Sequence, residues 1–388
     1  MKLALLKGNR FNPWHLHVYE HLRGAPRVSL FRADSEIQRY FDQRTDELAA
    51  FDIERIYFNT QAGNPVRRWM HLVRERYLDH EPRILPFHER LRAFDLIQTW
   101  ELFTDWSAEA LEAKRRFGMP VTVMVWDTIP FNMERNPERR RMKERVAAEA
   151  DRFLVHTERS QRMLDIEGVS PERVVKVPVG IDLERFAPGG GNRTALGLAD
   201  DEFVILFVGW LLPRKGVDFL ILALRELIHD ADLAKIKVRL AMVGSGPGRE
   251  RVERLITRLG VGDRCTFLGS LPYGHMPDVY RCADAFVLPS IAEPTWQEQF
   301  GMSLIEAMAC GTPVVATLSG AIREIAGDAA VLTQPNDFPA LYHALKQIIL
   351  EPARREDLAA AARARACDQF DLDAAANALS DVYDGLVR

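Results

Sequence analysis

The sequence predicts an α/β protein built from two doubly wound parallel sheets. Three observations carry that expectation. Short apolar runs alternate with helical patterns along nearly all 388 residues, several of those runs lack polar alternation, and a stretch without periodicity divides the chain near its middle. Strands covered on both faces have no polar side to present, so they read as continuous apolar runs. Length agrees, because domains of about 150 residues allow two or three here.

In the first half the strand-like runs are Leu3–Leu6, Arg27–Phe31, Ile53–Phe58, Phe94–Thr99, Val121–Trp126, Phe153–His156 and Val174–Val177. Helical segments such as Ala108–Phe117 and Glu138–Ala150 separate them. The break is Phe186-Ala187-Pro188-Gly189-Gly190-Gly191-Asn192, linker residues without a period. Beyond it the rhythm returns with Phe203–Val208, Val238–Val243, Cys265–Leu268, Ala285–Leu288, Pro313–Ala316 and Ala330–Leu332. Repeated strand–helix–strand units imply parallel sheets. Two helical segments close the chain, Ala353–Cys367 and Asp373–Val387. The second carries Ala376, Leu379, Val382, Tyr383 and Leu386 at helical spacing, which suits packing on a sheet face back across the junction. The expected divisions are 1–185, 186–370 and a returning helix over 371–388.

Composition mainly excludes. A net charge of −4 argues against a nucleic-acid partner. No apolar run is long enough to span a membrane. The apolar stretch within Met1–Lys7 is too short for a signal peptide, and a reducing cytoplasm fits. Cys265, Cys282, Cys310 and Cys367 lack metal-ligand or disulfide spacing, so no metal site is expected. Asp230-Ala231-Asp232 and Asp371-Leu372-Asp373 match a metal-binding D-x-D but sit at helix margins, where Asp caps ends. The run Arg139-Arg140-Arg141-Met142-Lys143 reads as a solvated helix face, with a weak contact to anionic lipid as its other reading. Charge divides unevenly: 31 basic and 29 acidic residues lie in 1–188, 20 and 26 beyond. The halves are built alike but made for different ligands.

The most informative segment is Glu298-Gln299-Phe300-Gly301-Met302-Ser303-Leu304-Ile305-Glu306, followed by Ala307-Met308-Ala309-Cys310-Gly311-Thr312-Pro313-Val314-Val315. It reads as a loop, a helix opening near Gly301, a Gly stop and a buried strand. A helix start presents unpaired N–H groups, and Gly allows close approach, which together suit a phosphate. Glu306 lies on the face of Met302 one turn deeper, where a carboxylate would accept sugar hydroxyls. Glu298 would reach over the same place from the loop. A second group, Val208-Gly209-Trp210-Leu211-Leu212-Pro213-Arg214-Lys215-Gly216, ends a strand and offers two cations where open parallel sheets bind ligands. Arg by its fork and Lys as a point charge could hold a diphosphate. Gly244-Ser245-Gly246-Pro247-Gly248 approaches a dinucleotide fingerprint, but Arg249 stands where its third Gly belongs.

Taken together, Gly209…Arg214-Lys215-Gly216, Val243-Gly244-Ser245-Gly246-Pro247, Phe267-Leu268-Gly269 and the E-x7-E pair Glu298–Glu306 resemble the retaining glycosyltransferases of family 4. Arg173-Val174-Val175-Lys176-Val177-Pro178-Val179-Gly180-Ile181-Asp182 is similar to that family's domain junction. The resemblance implies the GT-B fold, with two Rossmann-like domains facing across a cleft: residues 1–185 for the acceptor and 186–370 for a nucleotide-sugar donor. It implies that Arg214 and Lys215 hold the diphosphate, that Gly209, Phe300, Gly301, Met302 and Ser303 lie along the sugar and phosphates, and that Leu271 lines the base pocket. Glu306 would take the ribose and Glu298 the transferred sugar. Asn12-Pro13-Trp14-His15 stands where the family carries a Gly pair, and Trp126-Asp127 where it carries His-Asp. Trp14, His15 and Trp126 are therefore the acceptor-side candidates.

The expected reaction moves a hexose from a UDP- or GDP-hexose to a hydroxyl of a sugar, lipid-linked or small-molecule acceptor, with retention. It would serve the synthesis of a bacterial glycan, glycolipid or small glycoside. Charge develops on the leaving diphosphate, where the two cations and the helix are aimed, so neither metal nor cofactor is expected. A front-face return is favoured; a double displacement would need a carboxylate opposite, for which Asp127 is the candidate. The enzyme would be cytoplasmic, in weak peripheral contact with the inner face of the membrane. Two other readings stay open: a nucleotide-sugar binding protein that has lost activity, and an NAD-dependent oxidoreductase.

Overall fold

The computed structural model describes residues 1–8, 16–33, 50–57 and 84–387. The chain divides into two compact units, Met1–Gly180 with Leu372–Arg388, and Ile181–Asp371.

The first unit contains strands β1 (Lys2–Gly8), β2 (Arg27–Ala33), β3 (Asp52–Ile56), β4 (Leu96–Trp100), β5 (Val121–Val125), β6 (Arg152–Val155) and β7 (Val174–Lys176). They form one parallel sheet in the order β3-β2-β1-β4-β5-β6-β7. The second unit contains β8 (Glu202–Val208), β9 (Lys237–Val243), β10 (Cys265–Gly269), β11 (Ala285–Leu288), β12 (Val314–Thr317) and β13 (Val331–Thr333). These are also parallel, in the order β10-β9-β8-β11-β12-β13. All thirteen apolar runs of the sequence are thus strands, and the doubly wound expectation holds in both sheets.

Burial on both faces explains the missing alternation. In β1, Ala4 and Leu6 enter a core beneath the helix Asp105–Phe117, through Trp106, Ala110 and Leu111. Leu3 and Leu5 enter the opposite core with Leu30, Leu96 and Leu154. Leu379 and Tyr383 of the last helix, Leu372–Leu386, complete that second core, which is how the chain's end covers a face of the first sheet. Polar contacts fix the helix there. Tyr383 donates to Gln98 Oε1, and the Gln98 amide donates to the Tyr19 hydroxyl. At the rim, Arg23 meets Asp381 at 2.5 Å and Asp384 at 3.1 Å, while His21 lies 2.7 Å from Asp373. In the second unit, Ile205, Phe207, Leu240 and Met242 pack against the helices Val217–His229 and Phe338–Leu350.

Three of the lesser sequence signals find structural roles. Lys346 lies 2.7 Å from Asp230 and 2.6 Å from Asp232, so this D-x-D pins one helix to a turn. Asp371 bridges Ile181, and Asp373 holds His21. Lys143 departs from the solvated-face reading: it is buried, 2.5 Å from Glu167 and 3.2 Å from Glu134. Among the described residues no helix is long and apolar enough to cross a membrane.

Candidate functional site in the second unit

In a doubly wound sheet the crevice for a ligand opens where the strand order reverses, outside the carboxyl ends of the two strands that flank it. In the second sheet that point lies between β8 and β11. The residues around it come from the loop after β8 and the loop after β11.

After β8 the chain turns at Gly209 and runs to a single 3-10 turn, Pro213–Lys215, before the helix at Val217. Neighbouring loops hold this path: Gly209 N–H donates to Val243 at 3.0 Å, Leu211 N–H to Ser245 at 2.9 Å, and Gly248 N–H to Leu211 at 2.8 Å. The glycine cluster after β9 has its explanation here. A Cβ on Gly244 would stand 2.0 Å from the Gly209 carbonyl oxygen, so close packing of two loops requires the absent side chain.

Lys215 and Glu298, 83 positions apart in sequence, form an ion pair with Nζ 2.7 Å from Oε2. The same oxygen accepts from the Ser290 hydroxyl at 2.6 Å. Glu298 is 6 % exposed and Ser290 fully buried. The Glu298 carbonyl accepts from Ala321 N–H at 2.9 Å, which fixes the backbone as well as the carboxylate. Arg214 lies with its guanidinium 4.7 Å from the Trp296 ring centre, and the Lys215 ammonium is 5.2 Å from that centre. Arg214 Nε is buried without a hydrogen-bond partner among the described residues. Indole thus underlies both cations.

The helix Met302–Ala309 begins at Gly301, whose φ of 87° is left-handed and suited to Gly. A Cβ there would be 3.8 Å from Glu298 Cγ, so the helix start and the Lys215–Glu298 pair are neighbours. Met302 and Ser303 are half-buried at that start. Phe300 is buried, edge-on to Phe370 with ring centres 5.9 Å apart. Glu306 is buried one turn inward, and Tyr280 donates to its Oε2 at 2.6 Å. Burial pushes the Glu306 carboxyl up to about 7, against the opposing pull of Tyr280, Tyr273 and the Arg185 charge. Leu271 is half-buried in the loop after β10, beside Ser270, whose hydroxyl donates to Ser245 at 3.1 Å.

The structure therefore brings Gly209, Arg214, Lys215, Glu298, Gly301, Met302 and Ser303 to one end of one sheet. Two cations and a helix start can hold a doubly charged anion there. Sequence reasoning passed over Ser290, Trp296 and Tyr280, and also Ser319, whose hydroxyl oxygen accepts from Glu298 N–H at 3.4 Å. Trp296, two positions before Glu298, was the one legible signal; the others depend on strand adjacency.

In the first unit, Asp127 follows β5 and is 6 % exposed. Its Oδ1 accepts from Thr128 N–H at 2.8 Å and Ile129 N–H at 3.1 Å, and its Oδ2 from the Asn132 amide at 2.9 Å. Both oxygens are thus engaged within its own loop. Trp126 meets His156 edge-on, with ring centres 4.5 Å apart. Trp14 and His15 lie outside the described residues. Among the described residues no group of three or more His, Cys, Asp or Glu side chains could hold a metal ion.

Comparison with known proteins agrees with this architecture. The family model "Glycosyl transferases group 1" matches residues 191–365, and "Glycosyltransferase Family 4" matches residues 38–185. A D-inositol 3-phosphate glycosyltransferase of Geodermatophilus obscurus is 39 % identical over 236 residues, 58 % of this chain and 50 % of the relative. One of Catenulispora acidiphila is 37 % identical over 255 residues, 63 % and 59 % of the two chains. The chain thus spans about half the length of the curated relatives it matches. Among solved structures, Anabaena HepE in complex with UDP superposes with a TM-score of 0.78 at 21 % identity, covering both chains in full. Sucrose-phosphate synthase of Thermosynechococcus elongatus gives 0.77 at 23 %, over 100 % and 99 % of the chains. At such identities the likeness is one of fold.

Proposed function

The chain belongs to the family 4 glycosyltransferases of the GT-B fold, and we propose that it is a retaining, metal-independent hexosyltransferase using a nucleoside diphosphate sugar. The observation that carries this reading is the Lys215–Glu298–Ser290 cluster beside the helix that starts at Gly301. As the glycosidic bond to the diphosphate lengthens, negative charge gathers on the leaving oxygens. Arg214 and Lys215 oppose that charge, and the N–H groups of Met302 and Ser303 add the helix's positive end. Such donors are set before the reaction begins, so little reorganisation opposes the step. Gly209 and the backbone of Phe300 leave room for the sugar and phosphates.

Glu298 binds the transferred hexose by accepting from its hydroxyls, while Lys215 and Ser290 hold the carboxylate in place. Glu306 takes the ribose hydroxyls, and Leu271 flanks the base. The full engagement of Asp127 within its own loop supports a front-face return over a double displacement. In that course the departing diphosphate removes the proton from the incoming hydroxyl, and the new bond forms on the face just vacated. The names of the curated relatives favour a phosphorylated polyol as acceptor, and UDP is the first nucleotide to try. No step in this scheme calls on a metal.

Thermal denaturation in the presence of UDP, GDP, ADP and dTDP tests the donor assignment: one nucleotide should raise the midpoint by mass action. Transfer from the corresponding hexose, followed by the anomeric configuration of the product, tests the rest. No shift with any of the four, or an inverted product, sinks the reading.

A further inference from the structure

We propose that Trp296 is a positioning residue for the diphosphate: its indole holds the Arg214 guanidinium in place without neutralising it, so that Arg214 meets the ligand charged and already ordered. This role rests on the transferase reading of the second unit's site. The backbone of Trp296 is fixed first. Glu293 N–H donates to the Trp296 carbonyl at 2.7 Å and Trp296 N–H to that of Glu293 at 3.1 Å, closing a tight turn over Pro294-Thr295. The same loop is fastened to the turn that carries the cations. Ile291 N–H donates to the Arg214 carbonyl at 2.8 Å, and a Cβ on Gly216 would stand 1.9 Å from the Pro289 carbonyl oxygen. The turn Pro213–Lys215 is itself closed by Gly216 N–H on the Pro213 carbonyl at 2.9 Å. Ring and cations thus sit on two segments locked backbone to backbone.

The two cations differ in what holds them. Lys215 gives its ammonium to Glu298 at 2.7 Å, and that pair sums to zero. A desolvated ammonium needs such a partner to stay charged. Arg214 is half-buried as well, yet its guanidinium makes no hydrogen bond and no ion pair with any described residue, and its Nε is buried with no acceptor. A buried donor left open in this way calls for an explanation. Guanidinium keeps its proton whether or not it is paired, so the net charge of these two cations and their carboxylate rests on Arg214. What lies against it is the ring. The guanidinium is 4.7 Å from the Trp296 ring centre, nearer than the Lys215 ammonium at 5.2 Å.

An indole suits this task better than a carboxylate or water. A carboxylate in its place would bind the guanidinium more tightly, but it would cancel the charge and repel the incoming phosphates. Water alone would leave a long side chain to be frozen when the ligand arrives, with the loss of its rotamer freedom. The ring attracts the cation through its quadrupole and takes none of its five N–H donors into an ordinary hydrogen bond. The donors stay open for the forked contact that guanidinium makes with phosphate oxygens. Trp296 therefore acts through Arg214 and not by touching the ligand.

Cation–ring attraction is worth about two- to fivefold in binding at exposed rings and about thirtyfold at desolvated ones. Trp296 is half-buried, so a loss near tenfold is expected without it. The test titrates UDP, GDP, ADP and dTDP into the full chain by calorimetry, and the nucleotide that the wild type binds most tightly is followed in the variants. Trp296→Leu should raise its Kd about tenfold, whereas Trp296→Phe keeps a ring face and should stay within about threefold of the wild type. In protein already carrying Arg214→Ala, the loss from Trp296→Leu should shrink to about threefold or less, the part left to Lys215. Circular dichroism checks that each variant is folded; should Trp296→Leu fail to fold, Trp296→Met is read in its place. A folded variant without the ring that binds as tightly as the wild type overturns the role. So does an equal loss in Trp296→Phe, or a full loss that persists without Arg214, because either marks Trp296 as packing alone. Those outcomes leave the transferase reading intact; wild-type protein that binds none of the four nucleotides removes that reading and this role with it.

Discussion

Replacing Lys215 with Ala removes one of the two cations and strands its partner, and the structure lets the two consequences be separated. The side chains of Lys215 and Glu298 are 18 % and 8 % exposed, so the pair lies largely out of water. Breaking a buried pair by deleting one partner costs about 3–5 kcal/mol, because a charge is left without compensation. Here the Ser290 hydroxyl still donates to Glu298 Oε2 at 2.6 Å. A loss of about 2–3 kcal/mol is the better expectation, from a total of about 5–15 kcal/mol for an ordinary protein. The kinetic loss is distinct. One preorganised donor at a developing oxyanion contributes about 10²–10³ in rate, roughly 2.7–4 kcal/mol of barrier. Initial-rate assays over a donor series, on protein shown folded by circular dichroism, should find kcat/KM down by that factor. The double variant Lys215→Ala, Glu298→Gln should recover most of the stability, since a neutral amide no longer needs a cation, and none of the activity. A folded Lys215→Ala enzyme with kcat/KM near that of the parent would remove Lys215 from the mechanism.

Three further outcomes follow from the same geometry. Glu306 is held above its ordinary carboxyl range by burial, so the folded chain binds its proton more tightly than the unfolded one. Its contribution to stability is whole below the unfolded carboxyl range and falls as pH rises towards about 7. Glu306→Gln should flatten the decline between those limits, by about 3 kcal/mol at most, and should weaken nucleotide binding measured by calorimetry. Denaturant midpoints that fall equally in both proteins would show the carboxyl to be ordinary. Asp127→Asn should retain measurable transfer, with a stability loss of about 1 kcal/mol because one of its three hydrogen bonds must be remade; a covalent glycosyl adduct on Asp127, seen by mass spectrometry of the intact protein, would refute the front-face course. Dialysis against a chelator should leave the transfer rate within about twofold of its starting value, and a loss restored by a divalent ion would overturn metal independence.

Fold was largely legible because it is written in local chemistry. Apolar runs of strand length, two-sided burial and a glycine-rich break are visible without knowing what touches what. Even the small errors at strand ends have physical reasons. Phe94 was read into β4, but its N–H closes the turn onto Leu91 at 3.1 Å, so the strand starts at Leu96. Trp126 was read into β5, yet its N–H goes to the Glu101 carboxylate and the ladder stops at Val125. Pro313 has no N–H to give, and β12 begins one residue later. The grouping of the second unit's candidate residues was legible in the same way. Glu298, Gly301 and Glu306 are spaced by one loop and one helical turn, which a sequence displays directly. Their supports are not: Ser290 and Lys215 meet Glu298 only because β8 and β11 are adjacent. Lys143 illustrates the opposite failure, a charge hidden in a run that looks solvated. The desolvation of Lys7 and Glu101 carried no signal at all, since a polar residue at a strand end is unremarkable until the strand order is known.

Strand order also makes the two units comparable, and the comparison shows how the fold sets the ionisation of buried groups. β8 and β11 flank the reversal of the second sheet as β1 and β4 flank that of the first. A lysine and a glutamate belong to each. In the second unit the glutamate arrives on a long loop, ten residues beyond the end of β11, and can settle on Lys215. In the first it is fixed to the residue after β4, and one of its oxygens is taken by Trp126. Among the described residues no ion pair within 4 Å joins Lys7 to Glu101, and burial drives both towards their neutral forms, although the Glu101 charge still works against this at Lys7. Pairing keeps a charge available; desolvation without pairing removes it. A site for a diphosphate needs the former. Net charge argues the other way, since residues 1–188 sum to +2 and the rest to −6. The count is set by solvated surface residues, whereas the ligand responds to the few groups whose ionisation the fold controls.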